Sequence, residues 1–358
     1  MDSRKDLEEM KLYLDGGWLD VPHVAEVADR NNISFIAIIG KRQIGKTYGV
    51  LKYMLDFDKR FIYLRSVMAE MEMLKKNVGN PFDAIKDYKG RVIFDSATQY
   101  TANIVRLDEQ DDETIKTTNI GLLASLSSIG RVRGINGREF KEIVFDEFIP
   151  ESHLLKVKNG GDAFLNMYTT IAGNRELENE KPLRVWLLAN SNNLDSDILK
   201  ALNLTEVVER MSLHGEESRI LKDRGIMVIL PDSEKITQKR KATALYKAID
   251  ADSKFAKMAY GNEFSYNDFT DVISCPISEF NPLIKIGKIV IHLHKSNKTL
   301  YVTEAAKFKA RHEYGETEHY INKLQKDFPE LKAAFLKGRM RFQSMTVKNL
   351  FLDYLDLL

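Results

Sequence analysis

Eight consecutive residues constrain this chain more than any others: Gly40-Lys41-Arg42-Gln43-Ile44-Gly45-Lys46-Thr47. They fit G-x-x-x-x-G-K-[S/T], the pattern of a phosphate-binding loop. The flanks suit the motif. Ser34–Ile39 is a short apolar run of strand type, and Tyr48–Phe57 carries Val50, Leu51, Met54 and Leu55 on one helical stripe. A loop between a buried strand and a helix N-terminus turns its backbone N–H groups and the positive end of the helix dipole toward bound phosphate. In that arrangement the loop cradles the phosphates, Lys46 reaches the β and γ phosphates, and Thr47 ligates Mg2+.

The rest of the first two-thirds alternates strand and helix signals, which implies an α/β layered domain with a mainly parallel sheet between helices. Residues 6–14 and 20–29 read as short leading helices, 60–65 as a second strand and 67–76 as a helix. Arg91–Phe94 and Asn103–Leu107 read as a β-ribbon, and the acidic cluster Asp108–Glu113 as a solvated loop. Ile143–Phe145, Val185–Ala189 and Ile226–Leu230 are uniformly apolar, as central parallel strands are. After Pro231 the composition shifts. Residues 239–268 read as a basic helical linker. Residues 269–358, with a hairpin at Lys288–His294 and Thr299–Thr303 and helices near 317–326 and 342–356, read as a small α+β domain.

Bulk properties set limits on partners. Of 358 residues, 53 are basic and 52 acidic, so composition gives no support for a nucleic-acid partner, and any basic surface must be local. The lone Cys275 rules out an internal disulfide. The first residues lack the apolar core of a signal peptide, and no apolar run is long enough to span a membrane.

A phosphate-binding loop needs a carboxylate for Mg2+, and a hydrolase needs a group to orient water. Ile143-Val144-Phe145-Asp146-Glu147 supplies both. Asp146 leaves a buried strand at its C-terminal edge, where ligands sit in such sheets, and Glu147 is placed as general base. Asp95 also ends an apolar run but is followed by Ser96, and it ranks below Asp146. Asn190, just after Val185–Ala189, is either a phosphate sensor or a turn residue. An arginine supplied by a neighbouring subunit completes many such sites. The candidates are Arg131 and Arg133 in a glycine-containing loop and Arg175 after the helix Phe164–Ala172, with Arg133 and Arg175 ahead.

In order along the chain, Phe35–Thr47, Phe61–Arg65, Ile143–Phe148, Gly173–Glu176, Leu188–Asn190, Leu230–Ser233 and Phe335–Phe342 together resemble the DNA-packaging ATPase of small podophages. The resemblance implies a ring-forming ATPase domain with an additional catalytic glutamate over residues 1–238, a linker over 239–268, and a C-terminal RNase H-like domain over 269–358. It implies ATP and Mg2+ as ligands and double-stranded DNA as substrate. It also implies a homopentamer on the portal vertex of a procapsid in the host cytoplasm, in some relatives through a structural RNA. By position, Lys46 and Thr47 bind phosphate and metal, Asp146 holds the metal and Glu147 activates water. Gly173 stands where relatives carry an arginine finger, which shifts that role to Arg175 and Arg133. Lys288–His294 carries no acid on the first strand of the terminal domain, so no nuclease activity is expected; His292 and His294 read as a solvated strand face rather than a metal site. Lys156, Lys158 and Lys239-Arg240-Lys241 are the candidate DNA contacts.

Other readings remain open from the residues alone. A cellular DNA pump or helicase-like ATPase fits the loop, as does a nucleotide-regulated assembly protein with slow turnover, although Glu147 argues against the latter. A small-molecule kinase is disfavoured, because no arginine-rich lid is evident.

Overall fold

The computed structural model describes residues 11–41, 43–109, 115–129, 137–150, 157–190, 194, 196–244, 271–305 and 309–355. The chain divides into two compact units, residues 1–265 and 266–358.

The described part of the first unit is built on nine strands: β1 Phe35–Gly40, β2 Phe61–Arg65, β3 Val92–Ser96, β4 Thr101–Glu109, β5 Ile115–Ser125, β6 Glu142–Asp146, β7 Arg184–Asn190, β8 Ser218–Leu221 and β9 Ile226–Ile229. Their order is β3-β4-β5-β2-β6-β7-β1-β9-β8. The six from β5 to β9 in that order run parallel, while β3, β4 and β8 add antiparallel edges. Among the described residues, eight helices accompany the sheet: α1 Val21–Arg30, α2 Lys46–Asp56, α3 Met68–Lys75, α4 Leu126–Ile129, α5 Gly160–Ala172, α6 Asp197–Ala201, α7 Thr205–His214 and α8 Glu234–Lys241. Covered on both faces, the central strands are apolar through their middles. Val185, Trp186, Leu187 and Leu188 of β7 are all fully buried. The stripe expected on α2 is buried as well, at Val50, Leu51, Met54 and Leu55.

Several local expectations are corrected. Residues 11–14 do not continue a leading helix. Tyr13 bridges Leu19 across a turn in which Gly17 takes φ 87°. The ribbon of β3 and β4 has a third partner, β5, whose Thr- and Asn-rich first half is exposed and whose second half is buried. β5 joins the ribbon to the parallel sheet by running antiparallel to β4 and parallel to β2. Gly121 permits this close approach, because a Cβ there would lie 2.5 Å from the Phe61 carbonyl oxygen. Asp108 and Glu109 belong to β4 rather than to a loop. Of the proposed linker, residues 245–268 lie outside the described residues.

The second unit is an α+β layer: β10 Phe280–Ile286, β11 Ile289–His294, β12 Leu300–Glu304, β13 His312–Tyr314 and β14 Met340–Phe342, with α9 Glu318–Asp327, α10 Glu330–Leu336 and α11 Met345–Leu355. The strand order is β13-β10-β11-β12-β14, with an antiparallel meander flanked by parallel strands. The expected hairpin is β11–β12. β10 escapes a periodicity reading because Pro282 interrupts it, and the pairing shifts register between Pro282 and Ile284. Ile284, Ile291, Val302, Phe342, Val347 and Phe351 form its core. His292 corrects the solvated-face expectation: it is fully buried, with Nε2 2.9 Å from Thr303 Oγ1.

Candidate active site

The loop that carries the glycine-rich motif leaves β1 at the C-terminal edge of the parallel sheet. Gln43 takes φ 58°, and Gly45, the residue before α2, takes φ 87°. Only glycine adopts such a φ at little cost. A side chain at 45 would also press on Trp18, whose Cε3 would lie 3.1 Å from the added Cβ. α2 therefore starts with its free N–H groups toward a cavity of about 310 Å3, lined by Gln43–Tyr48, Asp146, Glu147, Ala189 and Asn190. Loop residues that sequence groups together play different parts here. The Ile44 side chain is buried in the fold. Lys41 is also buried, its ammonium paired with Asp232 and 3.2 Å from Thr237 Oγ1, so the loop receives only its backbone. Arg42 lies outside the described residues.

Strand order assembles the rest. β7 lies between β1 and β6, which separates loop and acid by about two strand spacings, roughly 10 Å. Register then sets the heights: Gly40 is level with Asn190, and Asp146 with Leu188. Lys46 Nζ sits among the carbonyl oxygens of Gly40 (3.0 Å) and Lys41 (2.6 Å) and Asn190 Oδ1 (3.3 Å). This brings Asn190 into the site. Thr47 Oγ1 donates to Asp146 Oδ1 at 2.9 Å. A hydroxyl and a carboxylate converging beside such a loop are hard oxygen donors, and Mg2+ is commonly held by one or two carboxylates together with substrate phosphates. The residues present therefore fit that ion. Asp95 lies on β3, at the far edge of the sheet from β1.

Asp146 is buried, whereas the Glu147 side chain is 42% exposed beside the cavity, where water reaches it. Glu147 takes φ 55°, a conformation uncommon for a residue with a side chain. Its neighbours hold it there: Ser66 Oγ donates to the Glu147 carbonyl at 3.1 Å, and the Phe148 N–H donates to Leu188 O at 3.1 Å. Strain of this kind costs on the order of 1–3 kcal/mol and persists where surrounding contacts over-determine it.

One residue that sequence did not single out organises both acids. Arg65, at the end of β2, donates through Nη1 to Asp146 Oδ2 (3.1 Å) and through Nη2 to Glu147 Oε2 (2.6 Å). Its Nε donates to Glu70 Oε2 at 3.3 Å. Burial disfavours the guanidinium charge, but Tyr63, Asp146, Glu147 and Glu70 outweigh that and hold its pKa above the ordinary value. Tyr63 is wholly buried and donates to Asp146 Oδ2 at 2.8 Å; burial, then Asp146, raises its pKa well above the usual phenol value. The one available signal for Arg65 was a charged residue closing the apolar run Phe61–Leu64, whose strand neighbours β6.

Arg175 is corrected. It is fully buried, and its guanidinium donates to four main-chain carbonyls: Ala172 (3.0 Å), Phe140 (3.0 Å), Gly137 (2.8 Å) and Ile171 (3.2 Å). It caps the C-terminus of α5, where carbonyls lack helical partners. A group so engaged does not reach into a neighbouring subunit. Arg131 and Arg133 lie outside the described residues. Among the basic DNA candidates, Lys158 is exposed, Arg240 is buried, Lys239 Nζ donates to Gly16 O at 3.0 Å, and Lys156 lies outside the described residues.

No curated protein matches the chain. Among solved structures it is similar to the Phi-28 gp11 DNA packaging motor, at 17% identity and TM-score 0.50, covering 91% of this chain and 95% of that one. It is likewise similar to the bacteriophage Phi-29 viral genome packaging motor assembly, at 18% identity and TM-score 0.59 with the same coverage. At such identity these likenesses establish the fold. The podovirus DNA encapsidation protein (Gp16) family model matches residues 24–356, nearly the whole chain, and the chain belongs to that family.

Proposed function

We propose that the chain hydrolyses ATP to drive double-stranded DNA into a procapsid. DNA encapsidation is the family's role. The hydrolytic reading is carried by one observation: Thr47 and Asp146 meet at 2.9 Å beside the loop, with Glu147 next in the chain and facing the same cavity.

Phosphoryl transfer depends mainly on positioning and charge stabilisation. The backbone of Gly40–Thr47 holds the β and γ phosphates, and Lys46 Nζ, ringed by oxygen acceptors, exchanges them for phosphate oxygens. Thr47 and Asp146 would hold Mg2+, which offsets charge developing on the β and γ phosphates. Glu147 takes a proton from the attacking water, while Arg65 fixes the direction of that carboxylate. Asn190, between loop and acid, marks the γ-phosphate position through its contact with Lys46. The trans-acting arginine is Arg133, since Arg175 is engaged within its own fold. The assembly is a homopentamer on the portal of a procapsid, within the host cytoplasm, joined there directly or through a structural RNA. Lys158 is an exposed DNA contact, acting on phosphates without base readout.

The test is ATP turnover with and without linear double-stranded DNA. Wild type should be stimulated by DNA. Glu147→Gln should lose about 10²–10⁴-fold in kcat while still binding ATP. Turnover that ignores DNA, or survives Glu147→Gln, would remove the motor reading or the assigned base respectively.

A further inference from the structure

The two carboxylate oxygens of Asp146 have different neighbours. Oδ1 accepts from the Thr47 hydroxyl at 2.9 Å, at the wall of the cavity beside the glycine-rich loop. Oδ2 accepts from Tyr63 Oη at 2.8 Å and from Arg65 Nη1 at 3.1 Å, both on β2. Two donors fill the lone pairs of that oxygen. Strand geometry brings them there. Tyr63 and Arg65 are two residues apart and so share a face of β2. β2 runs parallel to β6 with Tyr63 level with Val144, so Asp146 lies two residues further along β6, on the same face. Tyr63 is fully buried, and its ring packs 6.4 Å, centroid to centroid, from that of Phe82. Phenylalanine would fill this space as well. Phe61, Ile62 and Leu64 of the same strand are buried and carry no polar side-chain atom. A hydroxyl taken out of water there is costly without a partner, and its partner is the carboxylate. Arg65 is shared with Glu147 and Glu70, whereas the Tyr63 hydroxyl has one proton to donate and gives it to Asp146.

We propose that Tyr63 is a positioning residue for the divalent cation of the reaction: by keeping Oδ2 of Asp146 engaged in the interior, it leaves Oδ1 as the one oxygen of that carboxylate open to the cavity, and so selects Mg2+ over Ca2+. The inference rests on the reading of Thr47 and Asp146 as the residues that hold the metal. The selection follows from what the two ions require. Ca2+ takes roughly six to eight oxygens in flexible geometry and accepts a carboxylate through both of its oxygens. Mg2+ demands near-octahedral geometry, keeps several waters and uses few protein ligands. A carboxylate with one oxygen already satisfied suits Mg2+ and denies Ca2+ its chelating mode. Removing the Tyr63 hydroxyl leaves Oδ2 with Arg65 alone and reopens that mode.

The experiment is calorimetric titration of the full chain with ADP under three conditions: Mg2+, Ca2+ and EDTA. In wild type, ADP should bind most tightly with Mg2+ and least tightly in EDTA. Tyr63→Phe should lower the ADP affinity in Mg2+ about tenfold, the lower end of what losing the hydrogen-bond partner of a metal-holding residue costs, and leave the EDTA value within about twofold. Its Ca2+ value should hold or rise, so that the preference for Mg2+ shrinks. In an Asp146→Asn background, Tyr63→Phe should have no further effect in Mg2+. Equal losses under all three conditions would mean that Tyr63 only supports the fold around the loop, and would overturn the proposal. So would an unchanged ratio of the Mg2+ and Ca2+ affinities, or a wild type that takes the two ions equally well, a result that needs no variant. Failure of the underlying reading has another signature. Wild type that bound ADP equally with and without Mg2+ would remove the metal from Thr47 and Asp146, and wild type that bound no ADP would remove the nucleotide site; in either case the role of Tyr63 falls with it.

Discussion

The two sheets of this protein use charge in opposite ways. In the nine-stranded sheet, parallel strands end together at one edge, and that edge gathers Lys46, Thr47, Asp146, Glu147 and Arg65 around one cavity. The backbone there departs from ordinary conformations at Gln43, Gly45 and Glu147. In the five-stranded sheet, neighbouring strands alternate direction through its centre, and the buried polar groups close on one another: His292 with Thr303, and Lys348 with Asp271 at 2.7 Å. Polar groups that only stabilise a fold are satisfied inside it. Those gathered at the edge of the first sheet converge on an open cavity.

The sharpest way to break this comparison is at Arg65. Arg65→Ala leaves Asp146 and Glu147 adjacent with no cation between them. We expect kcat to fall about 10²-fold, the scale of a misplaced catalytic group, with ATP affinity within a few-fold. Arg65→Lys should recover only part, because a point charge does not span both carboxylates. Loss of thermal stability with kcat intact would make Arg65 merely structural.

Arg175 tests the converse. Arg175→Met removes the side-chain hydrogen bonds to four main-chain carbonyls, of which Gly137 and Ala172 still accept a backbone N–H, and should destabilise the first unit by about 3 kcal/mol or more in urea unfolding. Mixed with wild type below its unfolding transition, it should give turnover proportional to the wild-type fraction. Strong suppression in the mixture would restore Arg175 as a trans-acting group.

The smallest effect on turnover is expected at His292, in the second sheet. Burial pushes its pKa down to about 4 from an ordinary 6.5. Below pH 6.5 the unfolded chain binds a proton that the folded unit refuses. Stability therefore falls as pH drops from 6.5 toward 4, by up to roughly 3 kcal/mol, and levels off below. Hydrogen exchange of the β11 amides should show this slope in wild type and a flatter one in His292→Gln, with neutral-pH turnover unchanged. A slope that persisted in the variant would assign it to other groups.

Local chemistry made the heart of the site legible in the sequence. A glycine with positive φ before a helix, and an acid at the end of an apolar strand, are written in windows of fewer than ten residues, so Gly45, Lys46, Thr47, Asp146 and Glu147 could be named without a fold. β5 and β10 were not legible, because Thr, Asn and Gly in one and Pro282 in the other hide the strand period. Arg65 and Arg175 look alike as letters: each is an arginine just past an apolar segment. The tertiary structure alone separates them. Strand order sets β2 against β6 and so gives Arg65 two carboxylates, while the turn after α5 folds Arg175 back onto carbonyls. Trp18 is the same case, an aromatic near the start of the chain that matters because its ring lies on Gly45. Backbone conformation and hydrophobic period are properties of neighbours in sequence. The partner of a charge or a ring is set by which strands and turns lie side by side, and only the folded chain decides that.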